Sequence, residues 1–543
     1  MHSVISYCWQ STPNKRDLLT YAVLCLLAMA CSVALPYVTG IVINNLVDTS
    51  MDLAAFGRLC ALLTVVYVFQ AFCWYVSSLL YTHIEADTSY SIERHATSHI
   101  QHLPVVFFEG YDPAWWRRRL DDDANGLAMW FMNAVTGILE HGGLLVSALV
   151  VLLFISPVLF LASLVLATIS TIIVTAFKMS LHDTSSAFAQ SMSDYSSAAL
   201  RQLSFVQFIR RNALFQKSLD KLDGAFARVR KNMYDANKAG AQASLAYNLV
   251  VGLSTSVVVF VSVIEVLGGH MEPGYVATAI GYFGSISASV QSLFGVCGKD
   301  FQDAKVHYER MAELESLETE PVGEKTAGPV HAVELAQVSQ HWPGKSEPTF
   351  NGVNAVFKRG IIYGIAGTNG CGKTTLLRAI AGELRGTVQG MVSIGDESLD
   401  NLNQYDLRRH TMGFVDQHPV ILPGTLWENL ILLAGPAVDE KRVMALCEDI
   451  GLGNVLNNPC GMNLILDDAH PALSGGEQQK VSIVRVMLKN PEVLLLDEPS
   501  SALDAESRGK LARLLQRDKS SRITIVVTHD DMLLDACDEI VEL

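Results

Sequence analysis

Six long apolar stretches, at residues 19–43, 56–81, 127–156, 158–177, 245–267 and 276–297, constrain this chain more than any other feature. Each is long enough to cross a hydrocarbon layer of about 30 Å as a helix. In lipid no water satisfies the backbone, so segments of this kind span as helices, each closing its own hydrogen bonds. Only Ser156-Pro157 separates the third stretch from the fourth, which predicts a tight turn there. Apolar residues make up 50% of the chain, and that excess lies in its first half.

The basic residues fall on one side of these stretches. Lys15 and Arg16 precede the first. The 82–126 connection carries Arg94, Arg117, Arg118 and Arg119. The 179–244 connection carries Arg201, Arg210, Arg211, Lys217, Lys221, Arg228, Arg230, Lys231 and Lys238, and Lys299, Lys305 and Arg310 follow the last stretch. Connections 44–53 and 268–273 hold no Lys or Arg, although Arg58 lies just inside the second stretch. This asymmetry predicts cytoplasmic termini and cytoplasmic long connections. Residues 1–18 are polar and read as a short interfacial helix, with no cleavable leader expected. Ten cysteines without a C-x-x-C pair predict free thiols, with neither a disulfide framework nor a zinc site. A net charge of −15 makes nucleic acid an unexpected partner.

The second half carries phosphate chemistry. Gly367-Thr368-Asn369-Gly370-Cys371-Gly372-Lys373-Thr374-Thr375 fits G-x-x-x-x-G-K-[ST] between an apolar, strand-like run and a helix-like run. Glycines let backbone N–H groups turn inward and cradle phosphate oxygens at a helix N-terminus. Lys373 would reach the β- and γ-phosphates of ATP, and the Thr374 hydroxyl would ligate Mg²⁺. Val493–Glu498 reads as a buried strand ending in two carboxylates, Asp497 for the Mg²⁺ shell and Glu498 to polarise water. Ser474-Gly475-Gly476-Glu477 is a second Gly-rich helix opening. One nucleotide rarely needs two such loops from one domain, so the second loop is expected to serve the nucleotide of another copy.

With these motifs in order, the last ~200 residues resemble an ATP-binding cassette, and the whole chain resembles an ABC exporter half-transporter. The resemblance implies a multi-domain membrane protein. It comprises an all-α six-helix transmembrane domain (1–312), a linker (313–329) and an α/β P-loop cassette (330–543). Ser474-Gly475-Gly476 matches the family's signature loop, with Glu477 where Gln is more usual. Gln417 matches the residue that touches Mg²⁺ and the transport domain, and Ser501–Asp504 the loop that crosses to the partner cassette. His529 matches the switch histidine, and Trp342 sits where the family stacks a ring on adenine. The 103–110 and 200–212 segments resemble the regions of the two coupling helices, which insert into cassettes. Both Glu498 and His529 are present, which favours a homodimer with two competent sites and leaves a heterodimer open.

The chain also departs from the family. Asp467-Asp468-Ala469-His470 stands where exporters usually have Gly-Glu-Arg-Gly, with Asp468 a candidate coupling contact, and the chain stops soon after His529. Substrate is less defined. Asn133, Glu140 and His141, with Tyr282, Ser285, Ser287, Ser289, Gln291 and Ser292, suit either a polar cavity or packing between helices. Residues 120–145 and 210–214 faintly resemble exporters of microcins and lasso peptides. The first expectation is therefore ATP-driven export of an antibacterial or modified peptide across a bacterial inner membrane. A drug or lipid exporter, a siderophore importer of exporter fold and a membrane-bound ATPase sensor remain alternatives.

Overall fold

The computed structural model describes the chain except residues 48–52, 109–112, 346, 369, 458 and 468–472, and the side chains of 53, 113–115, 118, 174, 178–182 and 299. It forms two compact units: Met1–Gln101 with Asp112–Leu317, and His102–Tyr111 with Glu318–Leu543.

The first unit is helical: α1 (His2–Ser11), α2 (Lys15–Val47), α3 (Leu53–Gln101), α4 (Pro113–Thr136), α5 (Gly143–Ile155), α6 (Pro157–Ser204), α7 (Val206–Arg211), α8 (Phe215–Leu267), α9 (Tyr275–Cys297) and α10 (Lys299–Glu315). Among the described residues, six helical segments are long and apolar enough to cross a membrane. α3, α6 and α8 run for 49, 48 and 53 residues, more than twice the ~20 that a crossing needs, so they continue well past any bilayer. At the predicted turn, extended Ser156 caps α6 through the Leu159 N–H and donates to Glu265 at 2.9 Å, while Pro157 occupies the first helical turn, where its missing N–H is harmless. Between α4 and α5 the backbone widens into a π turn, Gly137–Gly142, which contains Glu140 and His141. α2 and α9 meet through small residues: a Cβ on Gly274 would lie 2.2 Å from the Gly40 carbonyl, and Thr278 donates to the Pro36 carbonyl at 2.9 Å.

Three of the six polar residues named in the last span are buried. Tyr282 is fully buried and donates to the Val33 carbonyl at 2.6 Å, and Ser287 and Ser289 are buried between helices. Asn133 accepts from Tyr81 at 2.9 Å, and Tyr21 bonds Thr136.

The second unit is built on strands β1 (Ala332–Gln340), β2 (Phe350–Lys358), β3 (Ile362–Ala366), β4 (Val388–Ile394), β5 (Glu397–Ser398), β6 (Met412–Val415), β7 (Gly424–Thr425), β8 (Ile465–Leu466), β9 (Val493–Asp497), β10 (Ile523–Val527) and β11 (Glu539–Glu542). A parallel sheet of order β11-β3-β10-β9-β6 forms its centre. β9 and β10 are buried along their whole length, as parallel strands covered on both faces must be. An antiparallel sheet of order β2-β1-β4-β5 lies in the same unit, and β7 pairs with β8. The loops after β3, β6, β9 and β10 leave the carboxyl ends of the parallel strands, where open α/β sheets place their ligands.

Two segments outside residues 330–543, the expected coupling region and the expected linker, belong in part to this unit. His102–Tyr111 groups with the cassette, and within it Val105–Phe108 forms a short 3₁₀ turn. Val106 packs on the apolar cluster of β1, β3 and the 376–384 helix region. The His102 ring meets Tyr405 edge-on at 5.6 Å, and its carbonyl accepts the Glu320 N–H at 2.7 Å. The 313–328 stretch, expected as a polar tether, is helical to Glu315 and docked on the cassette from Glu318. Glu320 is buried and takes two Arg408 hydrogen bonds, at 2.5 and 3.0 Å. Lys325 exchanges backbone bonds with Asn401 and Asn403. Polar composition hid this docking, because the polar groups face each other.

Glu320→Ala is expected to destabilise the cassette by about 1–3 kcal/mol, since Arg408 loses a bidentate charged partner. Lys325→Ala, which breaks an exposed pair with Glu397, is expected to change stability by under about 1 kcal/mol. Thermal unfolding of the full chain reads both, and equal shifts would contradict this reading of the linker.

Candidate functional site

The 367–372 loop joins β3 to the helix α11 (Lys373–Ile380). Gly370 and Gly372 have φ of +87° and +102°, which side chains other than glycine rarely adopt. At Gly372 a Cβ would also lie 2.9 Å from Thr349 and 3.0 Å from Phe350. Lys373 is buried and folds back on the loop, donating to the Gly367 and Thr368 carbonyls at 2.8 and 3.1 Å. Asn369 lies outside the described residues. Thr375 is half-buried on the first turn of α11, beside exposed Thr374.

The Thr374 hydroxyl donates to Asp497 at 3.1 Å. Asp497 ends β9 and is buried. Burial holds its carboxyl above the ordinary aspartate range, while Thr374, Arg378, Lys373 and His418 pull it back. Glu498 follows with φ +45°, a left-handed conformation that costs a non-glycine residue about 1–2 kcal/mol. Its N–H is fixed to the Val527 carbonyl at 2.8 Å. Its Oε1 lies 3.6 Å from His529 Nε2, at the end of β10. Burial raises the Glu498 carboxyl as well, and His529 opposes that rise. Strand order therefore brings the Lys373 loop, Asp497, Glu498 and His529 into one site. His418, beside Gln417, acts electrostatically on Asp497 and was not singled out by the sequence; its signal was only that adjacency.

Gln417 is exposed just beyond β6. Trp342 is half-buried just beyond β1 and packs on the cluster that includes Tyr363 and Leu377. The Thr374 hydroxyl, the Asp497 carboxylate and the Gln417 amide oxygen are the hard oxygen donors that Mg²⁺ prefers, so the residues fit that ion.

The second Gly-rich loop opens the helix Gly475–Lys489 with a capping box. The Glu477 carboxylate takes both the N–H and the hydroxyl of Ser474, each at 2.7 Å. A Cβ on Gly476 would lie 2.6 Å from the Ala502 carbonyl, so glycine there admits the 501–504 loop. Asp504 caps the helix Ala505–Asp518 through the Ser507 N–H at 2.8 Å. Among the described residues, no hydrogen bond or ion pair joins 474–477 to the Lys373 loop, Asp497 or Glu498. Asp468, the candidate coupling acid, lies outside the described residues.

Cys371 is half-buried, with its sulfur beside Gly367: a Cβ at Gly367 would lie 2.8 Å from Sγ. A maleimide adduct there would fill the phosphate space. N-ethylmaleimide is therefore expected to abolish ATP turnover, and MgATP to protect it. Cys371→Ala should remain active and become resistant, with the other nine thiols as internal controls. An active but equally sensitive variant would place the inhibitory thiol elsewhere.

Comparison with known proteins agrees with this fold. The ABC transporter family model matches residues 350–501, and the model of the ABC transporter transmembrane region matches residues 18–290. The ABC multidrug transporter MDR2 of Trichophyton interdigitale is 30% identical over 252 residues, 46% of this chain and 19% of that protein. The mycobactin import ATP-binding/permease protein IrtB of Mycobacterium tuberculosis is 35% identical over 200 residues, 37% of this chain and 34% of that protein. The matched regions thus span between a fifth and about a third of these relatives' length. The solved structure of a bacterial Atm1-family ABC exporter with ATP bound superposes with a TM-score of 0.84 and 16% identity, covering 97% of this chain and 93% of that one. At that identity the likeness is one of fold.

Proposed function

Because this chain belongs to the ABC transporter family, we propose that two copies of it form an ATP-driven transporter that moves an amphipathic solute across the membrane by alternating access. The observation that carries this reading is the cluster of Lys373, Thr374, Asp497, Glu498 and His529 beyond the carboxyl ends of β3, β9 and β10, to which, among the described residues, no hydrogen bond or ion pair joins Ser474–Glu477. Each half-site lacks what the other supplies. Two cassettes set head-to-tail would face one copy's Lys373 loop with the other's Ser474 and Gly475. Lys373 would exchange its two loop carbonyls for phosphate oxygens, and the 368–375 backbone would cradle them. Trp342 would stack on the adenine. Thr374, Asp497 and Gln417 would hold Mg²⁺, which when bound neutralises phosphate charge. Glu498 would orient and deprotonate the attacking water, with His529 steadying the Glu498 carboxylate and the γ-phosphate. Contacts to γ-phosphate from both faces favour the closed pair, and hydrolysis removes them.

Cassette motion needs a mechanical link. The 102–108 segment, packed on its own cassette through His102 and Val106, supplies one. A second is α7, where Phe205, Val206 and Phe208 are more than half exposed and suit a groove on the partner's cassette. The basic side, with both termini and the cassette, faces the cytoplasm in this reading. A bacterial inner membrane fits this arrangement.

For cargo, kinship with a multidrug transporter supports a small amphipathic solute, and the 120–145 and 210–214 segments keep a peptide as the second candidate. Outward movement follows the exporter fold; the likeness to a mycobactin import protein makes inward movement the rival. The test is flux in proteoliposomes. ATP added on the cassette side should drive solute away from that side, with turnover stimulated by the solute. Movement toward the cassette side would reverse the direction, and solute-independent turnover without flux would favour a sensor.

A further inference from the structure

We infer that a cavity of about 600 Å³ between α2, the end of α5 and the 268–274 turn binds a small amphipathic organic cation. The inference rests on the transporter reading only in making that ligand cargo. The cavity lies wholly within one unit, at the end of the bundle that holds the Ser156–Pro157 turn. Its volume is within the usual range for small-molecule sites.

Its walls are aromatic. Tyr37 and Tyr275 stack with ring centroids 6.1 Å apart and planes 28° from parallel. Phe154, which is 85% exposed, stands at the rim, so the cavity opens beside surface suited to lipid. Tyr282 is also among the lining residues, but it is fully buried and its hydroxyl is committed to the Val33 carbonyl at 2.6 Å. Glu272 supplies the charge. It is exposed at the mouth, and among the described residues no hydrogen bond or ion pair engages its carboxylate. His270 is the one lining side chain able to offset it.

The surrounding charge points the same way. The 156–157 and 268–274 connections contain no Lys or Arg and hold Glu272. Glu265 adds a further carboxylate, bonded to Ser156 at 2.9 Å. An organic anion would meet the Glu272 carboxylate, bound by no partner among the described residues. A bare metal ion would find one carboxylate where it needs six or more oxygens. An organic cation gains from both parts of the site, since aromatic faces attract it and the carboxylate fixes its charged end. An apolar body on the same molecule fills the space between Tyr37, Tyr275 and Phe154.

Tetraphenylphosphonium and tetraphenylborate share a shape and differ in sign, so together they isolate charge. The full-length protein in lipid nanodiscs, without nucleotide, is titrated with each, and uptake by protein-free nanodiscs is subtracted. We expect saturable binding of the cation only. Glu272→Gln should weaken it at least about tenfold, and Tyr275→Leu, which keeps the volume apolar but removes the ring, should do the same. Glu272→Lys, an exposed change with little effect on folding, should shift the preference toward tetraphenylborate. No saturable binding of the cation, equal binding of both ions, or cation affinity indifferent to both Glu272 variants overturns the inference. Any of these results with wild-type ATP turnover and flux intact sinks the cavity assignment alone. Absent turnover and flux in the wild type sinks the transporter reading instead.

Discussion

Glu498→Gln is expected to lower ATP turnover by at least about 100-fold, the scale of a lost general base, while ATP affinity changes by less than about threefold. Gln keeps the shape and the hydrogen bonds of the side chain. The N–H bond to Val527 at 2.8 Å holds the strained φ of +45° and involves the backbone alone. What disappears is the group that can take a proton, 3.6 Å from His529 Nε2. The variant should therefore hold ATP unhydrolysed and accumulate the closed pair of cassettes. Burial raises the Glu498 carboxyl, so in the wild type turnover should fall with decreasing pH at a higher pH than an exposed glutamate would give. The same descent should vanish from the residual activity of the Gln variant. Turnover by radiolabelled phosphate release and ATP binding by filter retention measure the two quantities separately. Near-normal hydrolysis by Glu498→Gln would remove Glu498 from the reaction.

Much of this architecture was legible because its signals are local. Spans were readable as uninterrupted apolar length, and Ser156-Pro157 as a turn, because both follow from backbone hydrogen bonding rather than from tertiary context. The Lys373 loop was readable because glycine is required where φ is positive, as at Gly370 and Gly372. Asp497, Glu498 and His529 were readable only as a set: Asp497 ends β9, Glu498 follows it, His529 lies two residues past β10, and the pairing of β9 with β10 brings His529 to Glu498. Non-local polar pairings were not readable. Glu320 and Arg408 lie 88 positions apart, and nothing in a Pro- and Gly-bearing polar stretch announces that its one buried acid will meet a distant guanidinium. The same blindness applied to Tyr282, Ser287 and Ser289. Their polarity suited a cavity as well as it suited packing, and all three are buried in the structure. The capping box by which the Glu477 carboxylate takes the N–H and hydroxyl of Ser474 was also not read from the signature motif. Capping geometry of that kind depends on where the helix begins, which the motif marks only to within a residue or two.

The central claim is that each ATP site is shared between two copies, and mixed dimers test it most directly. Lys373→Ala removes the cation that meets the phosphates, and Ser474→Arg places a long charged side chain in the opposing loop. Each homodimer is expected to lose ATP turnover by at least about 100-fold, the scale of a lost phosphate clamp. In a dimer of one Lys373→Ala chain with one Ser474→Arg chain, both lesions fall on the same site. The other site joins an intact Lys373 loop to an intact Ser474 loop. Dimers carrying two different tags, purified through both, should therefore recover turnover to a substantial fraction of the wild-type rate. If each chain instead completed its own site, both sites of the mixed dimer would be broken, and turnover would stay at the level of the two inactive homodimers.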